Sequence, residues 1–266
     1  MKKRSIIGPL YVLLVLLVMY LPVAVVVIYS FNTSKYGIWT GFSLDWYKKL
    51  FENRALLTSL GNSLAVAAMS VFSAAVIGTL GALGMARSQF RAKGLLENVT
   101  LMPMMIPEII LGMAYLSTFT FVGLKFGMGT LVLAHTTFCV PYVLLNVQSR
   151  LAGMDPALVE AARDLGASPL RAFWDVTLPL IMPAVLSGSL LAAAMSMDDV
   201  VISFFVSGTG MNTLPVQIYS LLKVGISPEI NALCTLMLAV LLLGVAAYGI
   251  IRRTRGIPKV KKEKVY

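Results

Sequence analysis

The sequence has few of the charged residues that cover the surface of a soluble protein. Only 13% of its 266 residues are charged, 58% are hydrophobic, and the mean hydropathy is +0.83. A typical soluble domain has roughly 25% charged residues. The composition therefore excludes an ordinary soluble domain and indicates a membrane protein.

Cysteine and histidine are scarce as well. The two cysteines, Cys139 and Cys234, lie inside apolar segments, and His135 is the only histidine. This distribution excludes a disulfide framework and the usual spacings of a metal site. For His135, a hydrogen-bonded side chain within the membrane is favoured over the alternatives, a ligand or a proton relay.

A phosphate-binding loop is also missing. No glycine-rich run leads into Lys-Ser or Lys-Thr, so the chain cannot hold the phosphates of ATP in such a loop. No nucleophile stands next to a base in a recognisable pattern. We therefore predict that the protein is not an enzyme, has no cofactor of its own and takes any energy from another chain.

Six long apolar segments are present instead. Their lengths are close to the ~20 residues that a helix needs to cross a bilayer, and they cover residues 9–31, 59–86, 99–123, 128–148, 179–205 and 230–251. The first segment is too long for a signal peptide and has no small-residue cleavage site. The sequence thus predicts an all-α integral membrane protein with six transmembrane helices in a single domain, residues 1–266.

The placement of positive charge predicts the orientation of these helices. With the N-terminus inside, all but six of the 22 Lys and Arg residues fall on the cytoplasmic side. The exceptions are Lys35, Lys48, Lys49, Arg54, Lys125 and Lys223. The positive-inside rule therefore puts both termini and the loop between the fourth and fifth segments in the cytoplasm. The net charge of +10 is then a topology signal next to lipid, and we predict no nucleic-acid partner.

The cytoplasmic loop at residues 155–179 has the signals of two short helices. Asp155-Pro156 and Ser168-Pro169 each combine a side-chain cap with a proline in the first turn, where its missing N–H costs nothing. Gly166 suits the left-handed position that ends a helix. An ordinary capped loop is the simpler interpretation of these signals.

The loop also contains a longer pattern. Glu160-Ala161-Ala162 is followed by Gly166, four residues on, and the loop closes with Leu178-Pro179. This pattern resembles the EAA loop of binding-protein-dependent ABC importers. The resemblance implies that five residues form the site that receives motion from the ATPase: Glu160, Ala161, Ala162, Asp164 and Gly166.

The resemblance to importers also implies partners and a location. It implies a second membrane permease subunit, two copies of a cytoplasmic ABC ATPase that bind ATP and Mg, and an extracytoplasmic solute-binding protein. It implies a multi-pass protein in the bacterial cytoplasmic membrane.

Acidic residues inside the apolar segments are the candidates for a solute pathway. A carboxylate at the centre of a span costs about 2.5–3.5 kcal/mol on insertion scales. At about 1.5 Å per residue, Asp198 and Asp199 lie roughly 28–30 Å along the fifth span, and Glu108 lies roughly 14 Å into the third. Pro103 and Pro107 next to Glu108 predict a bent helix that lines the pathway. Together the acids predict a route for a cation.

These acids have alternative roles. Asp198 or Asp199 could cap a short outer helix, and Glu108 could pair with a basic group on the second membrane subunit. The outer loop 32–58 leaves a similar choice open. Its aromatic residues could form an interfacial belt or a docking surface, and they are Tyr36, Trp39, Phe42, Trp46 and Tyr47.

A narrower resemblance covers nearly the whole chain. It is carried by Phe31-Asn32-Thr33-Ser34, Trp46-Tyr47, residues 135–141 (HTTFCVP), residues 196–203 (SMDDVVIS) and residues 223–232 (KVGISPEINA). These motifs resemble the C-type permease subunit of bacterial spermidine/putrescine ABC importers. The resemblance implies that Trp46, Ser196, Asp198 and Asp199 take part in polyamine transport.

The chain departs from that family at two positions. Glu108, a pathway candidate because it is an acid inside an apolar segment, stands where relatives often have the shorter Asp, which keeps the charge and changes its reach. Pro169 stands where some relatives have Glu, and we assign no role to it. Two alternatives to polyamine import are kept. One is the same architecture for another solute, such as an amino acid, thiamine, iron or a sugar, and the other is a membrane scaffold that moves no solute.

Overall fold

The structure is a computed structural model that describes residues 7–35, 37–87, 91–224 and 228–254. The helices are α1 (Ile7–Tyr29), α2 (Asp45–Glu52), α3 (Arg54–Arg87), α4 (Lys93–Met105), α5 (Glu108–Val122), α6 (Met128–Ala152), α7 (Ala157–Asp164), α8 (Pro169–Ala172), α9 (Leu178–Asp198), α10 (Val201–Val206), α11 (Leu214–Val224) and α12 (Pro228–Thr254), with a π-helical turn at Phe173–Thr177 between α8 and α9. Residues 225–227 of the last motif lie outside the described residues, and so do the basic residues Lys2, Lys3, Arg4, Arg255, Lys259, Lys261, Lys262 and Lys264.

Within the described residues, five helices are long and apolar enough to cross a membrane. They are α1, α3, α6, the stretch from α8 to α9, and α12. The bent pair of α4 and α5 makes six if the pair counts as one span. The all-α membrane fold predicted from the apolar segments is thereby confirmed, with helix ends that differ by several residues.

The third predicted span is sharply broken rather than gently bent. Helices α4 and α5 meet at an angle of 108°. Ile106 between them is extended, with φ −79° and ψ 134°, because the ring of Pro107 disfavours the helical region for the residue before it. The predicted bend is present, but the depth estimate for Glu108 assumed a straight helix and no longer applies.

The fifth predicted span is also divided. Helix α9 ends at Asp198, Asp199 is extended with φ −66° and ψ 120°, and α10 begins at Val201. The prediction of one transmembrane helix over 179–205 is therefore wrong at this point, because the helix is interrupted at Asp199 and Val200. The break puts the two adjacent aspartates in different environments.

The loop at 155–179 contains one separate helix and not two. Helix α7 is separate, as predicted, whereas α8 continues through the π-helical turn directly into α9. A π turn takes up an extra residue without ending the helix, so the start at Ser168-Pro169 becomes the beginning of the fifth span.

Two compact units are formed, Met1–Arg54 with Leu221–Tyr266 and Ala55–Ser220. In the first unit α12 contacts α1 and α2. Asn32 organises the loop before α2, because its side chain donates to the carbonyl of Ile38 at 2.8 Å and accepts from the amide of Thr40 at 3.0 Å. Asn53 donates to Glu229 at 3.0 Å, in the first turn of α12. The single-domain assignment stays a prediction.

In the second unit α6 is the central helix. Val143 on α6 is completely buried and contacts glycines on two neighbouring helices. A Cβ at Gly188 of α9 would lie 2.7 Å from the Val143 Cα, and one at Gly78 of α3 would lie 2.9 Å from the Val143 Cβ. Small residues that allow backbones to approach are the usual basis of helix packing in membranes, so these contacts hold α3, α6 and α9 together.

Candidate functional site

The second unit contains a cavity of about 130 Å³ where α4, α5, α6, α9 and α10 meet. It is lined by Pro103, Met104, Ile106, Glu108, Leu111, Phe138, Tyr142, Met195, Asp199 and Ile202. Both breaks in the predicted spans, at Ile106-Pro107 and at Asp199-Val200, border this cavity. Irregular backbone within a membrane is tolerated where it lines such a cavity or is buried in protein.

The lining of this cavity is acidic. It includes the carboxylates of Glu108 and Asp199, and none of its lining residues is Lys or Arg. Glu108 is the first residue of α5 and is exposed, because the break at Pro107 ends α4 before it. An acidic lining without a basic residue suits a cationic group, and this applies most to Glu108, since an unpaired carboxylate in an apolar environment is costly.

Asp199 is buried, and its carboxylate is fully engaged. Oδ1 accepts from the amide of Ile202 at 3.1 Å and Oδ2 accepts from the amide of Ser203 at 2.7 Å. These bonds satisfy amides in the first turn of α10, which have no partner within that helix. Asp199 thus takes the capping role that the sequence left open as an alternative.

His135 on α6 joins both sides of the break between α9 and α10. Nδ1 lies 2.8 Å from the hydroxyl of Ser196 in α9, and Nε2 lies 3.0 Å from the hydroxyl of Ser203 in α10. Nε2 is also 3.4 Å from Oδ2 of Asp199. The prediction of a hydrogen-bonded histidine is confirmed, and the ring is completely buried.

Of the predicted pathway residues, the structure brings Glu108, Ser196 and Asp199 to one region. Asp198, the last residue of α9, is exposed and does not line the cavity. Within the described part of the chain, its carboxylate has no hydrogen bond or ion pair with another side chain. Whether these residues contact a solute stays a prediction.

Trp46 lies in the first unit and is buried, with 7% of its surface exposed. Its indole N–H donates to the carbonyl of Asn32 at 2.7 Å, and the ammonium of Lys49 lies 4.3 Å from its ring centroid. The ring therefore already has a hydrogen-bond acceptor and a cation on its face. Its predicted part in the solute pathway stays a prediction. Trp39 and Phe42 in the same loop are exposed, and Tyr36 lies outside the described residues.

Two aromatic residues of the cavity were missed as site residues. Phe138 and Tyr142 stand four positions apart on α6, three and seven residues after His135. Residues at this spacing lie on one face of a helix. The signal was therefore present in the sequence, but it looks the same as a face that packs against a neighbouring helix.

The capping signals around α7 are present in the structure. Oδ1 of Asp155 accepts from the amide of Ala157 at 3.0 Å, and the Ser168 hydroxyl accepts from the amide of Arg171 at 3.3 Å. Gly166 has φ +87°, a conformation that glycine adopts without strain. Its amide donates to the carbonyl of Arg163 at 2.9 Å, which closes the end of α7.

The surface around α7 is open. Glu160, Ala161, Asp164 and Gly166 are exposed and Ala162 is partly exposed. Large apolar side chains surround them with high exposed fractions, and these are Leu158 at 47%, Leu165 at 90%, Leu170 at 68% and Trp174 at 58%. Two concavities of about 440 Å³ each include Glu160 and Arg163 in their linings. Exposed apolar side chains that lie together with polar and charged residues are typical of a protein interface.

Comparison with known proteins gives relatives over almost the full length. Residues 74–255 match the family described as the binding-protein-dependent transport system inner membrane component. The chain is 42% identical over 238 residues to the spermidine/putrescine transport system permease protein PotC of Escherichia coli (strain K12), which covers 89% of this chain and 90% of that protein. It is also 42% identical over 244 residues to the putrescine transport system permease protein PotI of the same strain, with 88% and 87% covered.

Among solved structures, the fold is similar to that of a chain in a bacterial ABC transporter involved in the import of the acidic polysaccharide alginate. The TM-score is 0.71 over 95% of this chain and 98% of that one, at 15% sequence identity. At this identity the similarity supports the fold alone. The cargo must therefore be argued from the site and from the more similar relatives.

Proposed function

We propose that this chain, which belongs to the family of binding-protein-dependent transport system inner membrane components, is a permease subunit that moves polyamines across the cytoplasmic membrane. The resemblance to importers drawn from the sequence motifs is confirmed, and so is a multi-pass inner-membrane location. The substrate class follows from the 42% identity to permeases named for spermidine and putrescine. The acidic cavity is the structural observation that supports it.

The cavity has the chemistry that a linear amine cation needs. Glu108 offers an exposed carboxylate, and the buried Asp199 adds negative charge to the lining. Phe138 and Tyr142 offer aromatic groups in the same lining. Ammonium groups bind carboxylates by charge-assisted hydrogen bonds and bind aromatic faces by cation–π attraction. Met104 and Met195 supply apolar surface for a methylene chain. Tight capture belongs to the binding protein, because a pathway must also release its solute.

The alternatives named above are less well supported. A scaffold that moves no solute gains nothing from unpaired carboxylates in its membrane segments, because their insertion cost is not recovered. An anionic solute does not suit a cavity whose charged residues are both acids. The named relatives favour a polyamine over an amino acid, thiamine, iron or a sugar.

Energy has to come from partner chains. We propose a second permease subunit, a solute-binding protein outside and two copies of an ATPase that hold ATP and Mg at their own sites. The ATPase contacts the surface around α7, where Glu160 and several apolar side chains are exposed. Closure of the ATPases on ATP moves this surface and changes the side to which the cavity opens.

Uptake by a reconstituted complex tests the substrate class. With its binding protein and ATPase in liposomes, the complex is expected to take up labelled spermidine or putrescine. Glu108→Gln is expected to lower maximal uptake by about tenfold, because one charge-assisted hydrogen bond is lost. Glu108→Asp, the residue often found in relatives, serves as the control and should retain most of the activity. Uptake of a neutral sugar or an amino acid with no polyamine uptake would contradict the proposal.

The topology can be tested with single cysteines in a chain from which Cys139 and Cys234 have been removed. Phe42→Cys is expected to react with a membrane-impermeant maleimide added to intact cells. Leu165→Cys is expected to react only after the cells are opened. Both positions are highly exposed, at 70% and 90%, so a difference in labelling reports the side of the membrane. Labelling of residue 165 in intact cells would place the α7 loop outside and contradict ATPase docking there.

A further inference from the structure

The two adjacent aspartates occupy opposite environments. Asp199 is buried, with 5% of its side chain exposed, and Asp198 is exposed. The cause is the break in the chain between them, since α9 ends at Asp198 and the backbone turns extended at Asp199. Two neighbouring residues with the same side chain therefore do not share one role.

Both carboxylate oxygens of Asp199 are engaged in contacts inside the protein. Its two oxygens hold the amides of Ile202 and Ser203 and face the imidazole of His135. Nε2 is the ring nitrogen that faces this carboxylate, at 3.4 Å from Oδ2. Nδ1 forms a hydrogen bond of 2.8 Å with the hydroxyl of Ser196. These bonds fix the end of α9 relative to the start of α10.

Asp198, in contrast, is exposed. Within the described residues, no side chain bonds to its carboxylate. It also stands at the C-terminal end of α9, where the partial negative charge of the helix dipole disfavours a carboxylate and favours a cation. A carboxylate at this position lowers stability because it has no side-chain partner among those residues and because it lies at the negative end of the helix dipole. Its position is explained by a cationic ligand, which both the side chain and the helix end attract.

We propose that His135 is a positioning residue of the transport step, acting through Asp199 to present the carboxylate of Asp198 to the cationic solute. This inference rests on the proposed function. It divides the acidic pair into a residue that meets the solute, Asp198, and a residue that fixes the break in the helix, Asp199. His135 links that break to α6, the central helix of the unit, through Ser196 and Ser203.

A double-mutant cycle on maximal uptake tests the link. With binding protein in excess, His135→Ala and Asp198→Asn are each expected to lower polyamine uptake by about tenfold, and the double variant should be little worse than either single one. The effects overlap because His135, through Asp199, acts on transport by presenting the Asp198 carboxylate. A purely structural role of His135 predicts instead that the two factors multiply, and that result would overturn the proposal.

Two further variants separate positioning from folding. His135→Gln retains an amide donor and an acceptor and is expected to recover most of the activity lost in His135→Ala. Leu133→Met, an exposed position on the same helix, is the matched control and should transport normally. If His135→Ala transports as well as the wild type at equal abundance, the positioning role is excluded.

A labelling experiment checks the same link without transport. Asp198→Cys, with Cys139 and Cys234 removed, is treated with a cationic thiol reagent in the assembled complex. We expect the labelling rate to change at least about threefold with His135→Ala and to return with His135→Gln. An unchanged rate would overturn the positioning role even where uptake falls. A wild-type complex that takes up no amine, with labelling that does respond to His135, would contradict the proposed function and leave the geometric link in place.

Discussion

Glu160→Lys is expected to abolish solute uptake and solute-stimulated ATP hydrolysis while the membrane complex still assembles. Glu160 is exposed on the surface around α7, which also has exposed apolar side chains. At a protein interface, a charge that is reversed loses its partner and meets a like charge, which costs about 2–5 kcal/mol. A loss of this size corresponds to a decrease of roughly 30-fold or more in solute-stimulated ATP hydrolysis. The measurement is ATPase activity with and without binding protein and solute.

Controls for this substitution lie close by in the chain. Asp175→Lys reverses a carboxylate whose pair with Arg171 is exposed to solvent, and exposed pairs contribute little, so this variant should remain active. Glu160→Gln retains hydrogen bonding and is expected to be intermediate. Normal coupling in Glu160→Lys would remove the α7 surface from the ATPase contact.

The end of α7 offers a second test of the same surface. Gly166→Pro should also uncouple the complex, because proline cannot adopt φ +87° and cannot donate to the carbonyl of Arg163. Gly166→Asn is the matched control, since asparagine tolerates this conformation and a Cβ here meets no neighbouring atom within 4 Å. Equal activity of the two variants would show that the turn does not matter for coupling.

Gly188→Leu is expected to reduce the amount of assembled protein in the membrane by at least about tenfold. A Cβ at this position would lie 2.7 Å from the Val143 Cα and 3.0 Å from the Tyr142 carbonyl. Both are backbone atoms, so α9 would have to move away from α6. Overpacking of a buried site costs about 1–3 kcal/mol, and separating two helices also breaks the contacts between His135 and Ser196. Quantification of the folded protein after mild detergent extraction measures the effect.

Gly84→Leu is the control for this second prediction. Gly84 lies in α3, is exposed, and has no neighbouring atom within 4 Å of an added Cβ. The same substitution there should leave the abundance near that of the wild type. Similar losses in both variants would mean that the packing of α9 on α6 is not what limits assembly.

The features that could be predicted from the sequence are those with a local physical cause. An apolar segment must be about 20 residues long to cross a bilayer, so the number and approximate position of the spans follow from composition along the chain. Asp155, Ser168 and Gly166 act on groups within a few residues of themselves, and all three occupy the capping positions that were expected. The break before Glu108 belongs with them, because Pro107 restricts the residue next to it.

The division of the acidic pair could not be predicted in this way. From the sequence, Asp198 and Asp199 are equivalent, and their roles differ only because α9 ends between them. At that break Asp199 faces His135, which stands more than 60 positions earlier and is brought to the aspartate by the packing of α6 on α9. A contact between distant positions leaves no local pattern. Phe138 and Tyr142 were missed for the same reason, since an aromatic face looks alike whether it lines a cavity or packs on a helix.

The scarcity of charge in this chain and its long apolar segments thus determined by themselves that it is a membrane protein with about six spans. The reason is that the cost of burying charge in lipid acts on every residue separately. Only the tertiary structure decided which of the few charged side chains are hydrogen-bonded inside the protein and which remain exposed. Asp199 is satisfied by His135 and two backbone amides, and Asp198 is left exposed at the negative end of α9. The physical reason is that a hydrogen bond needs its partner within about 3.5 Å, and helix packing alone brings distant residues that close.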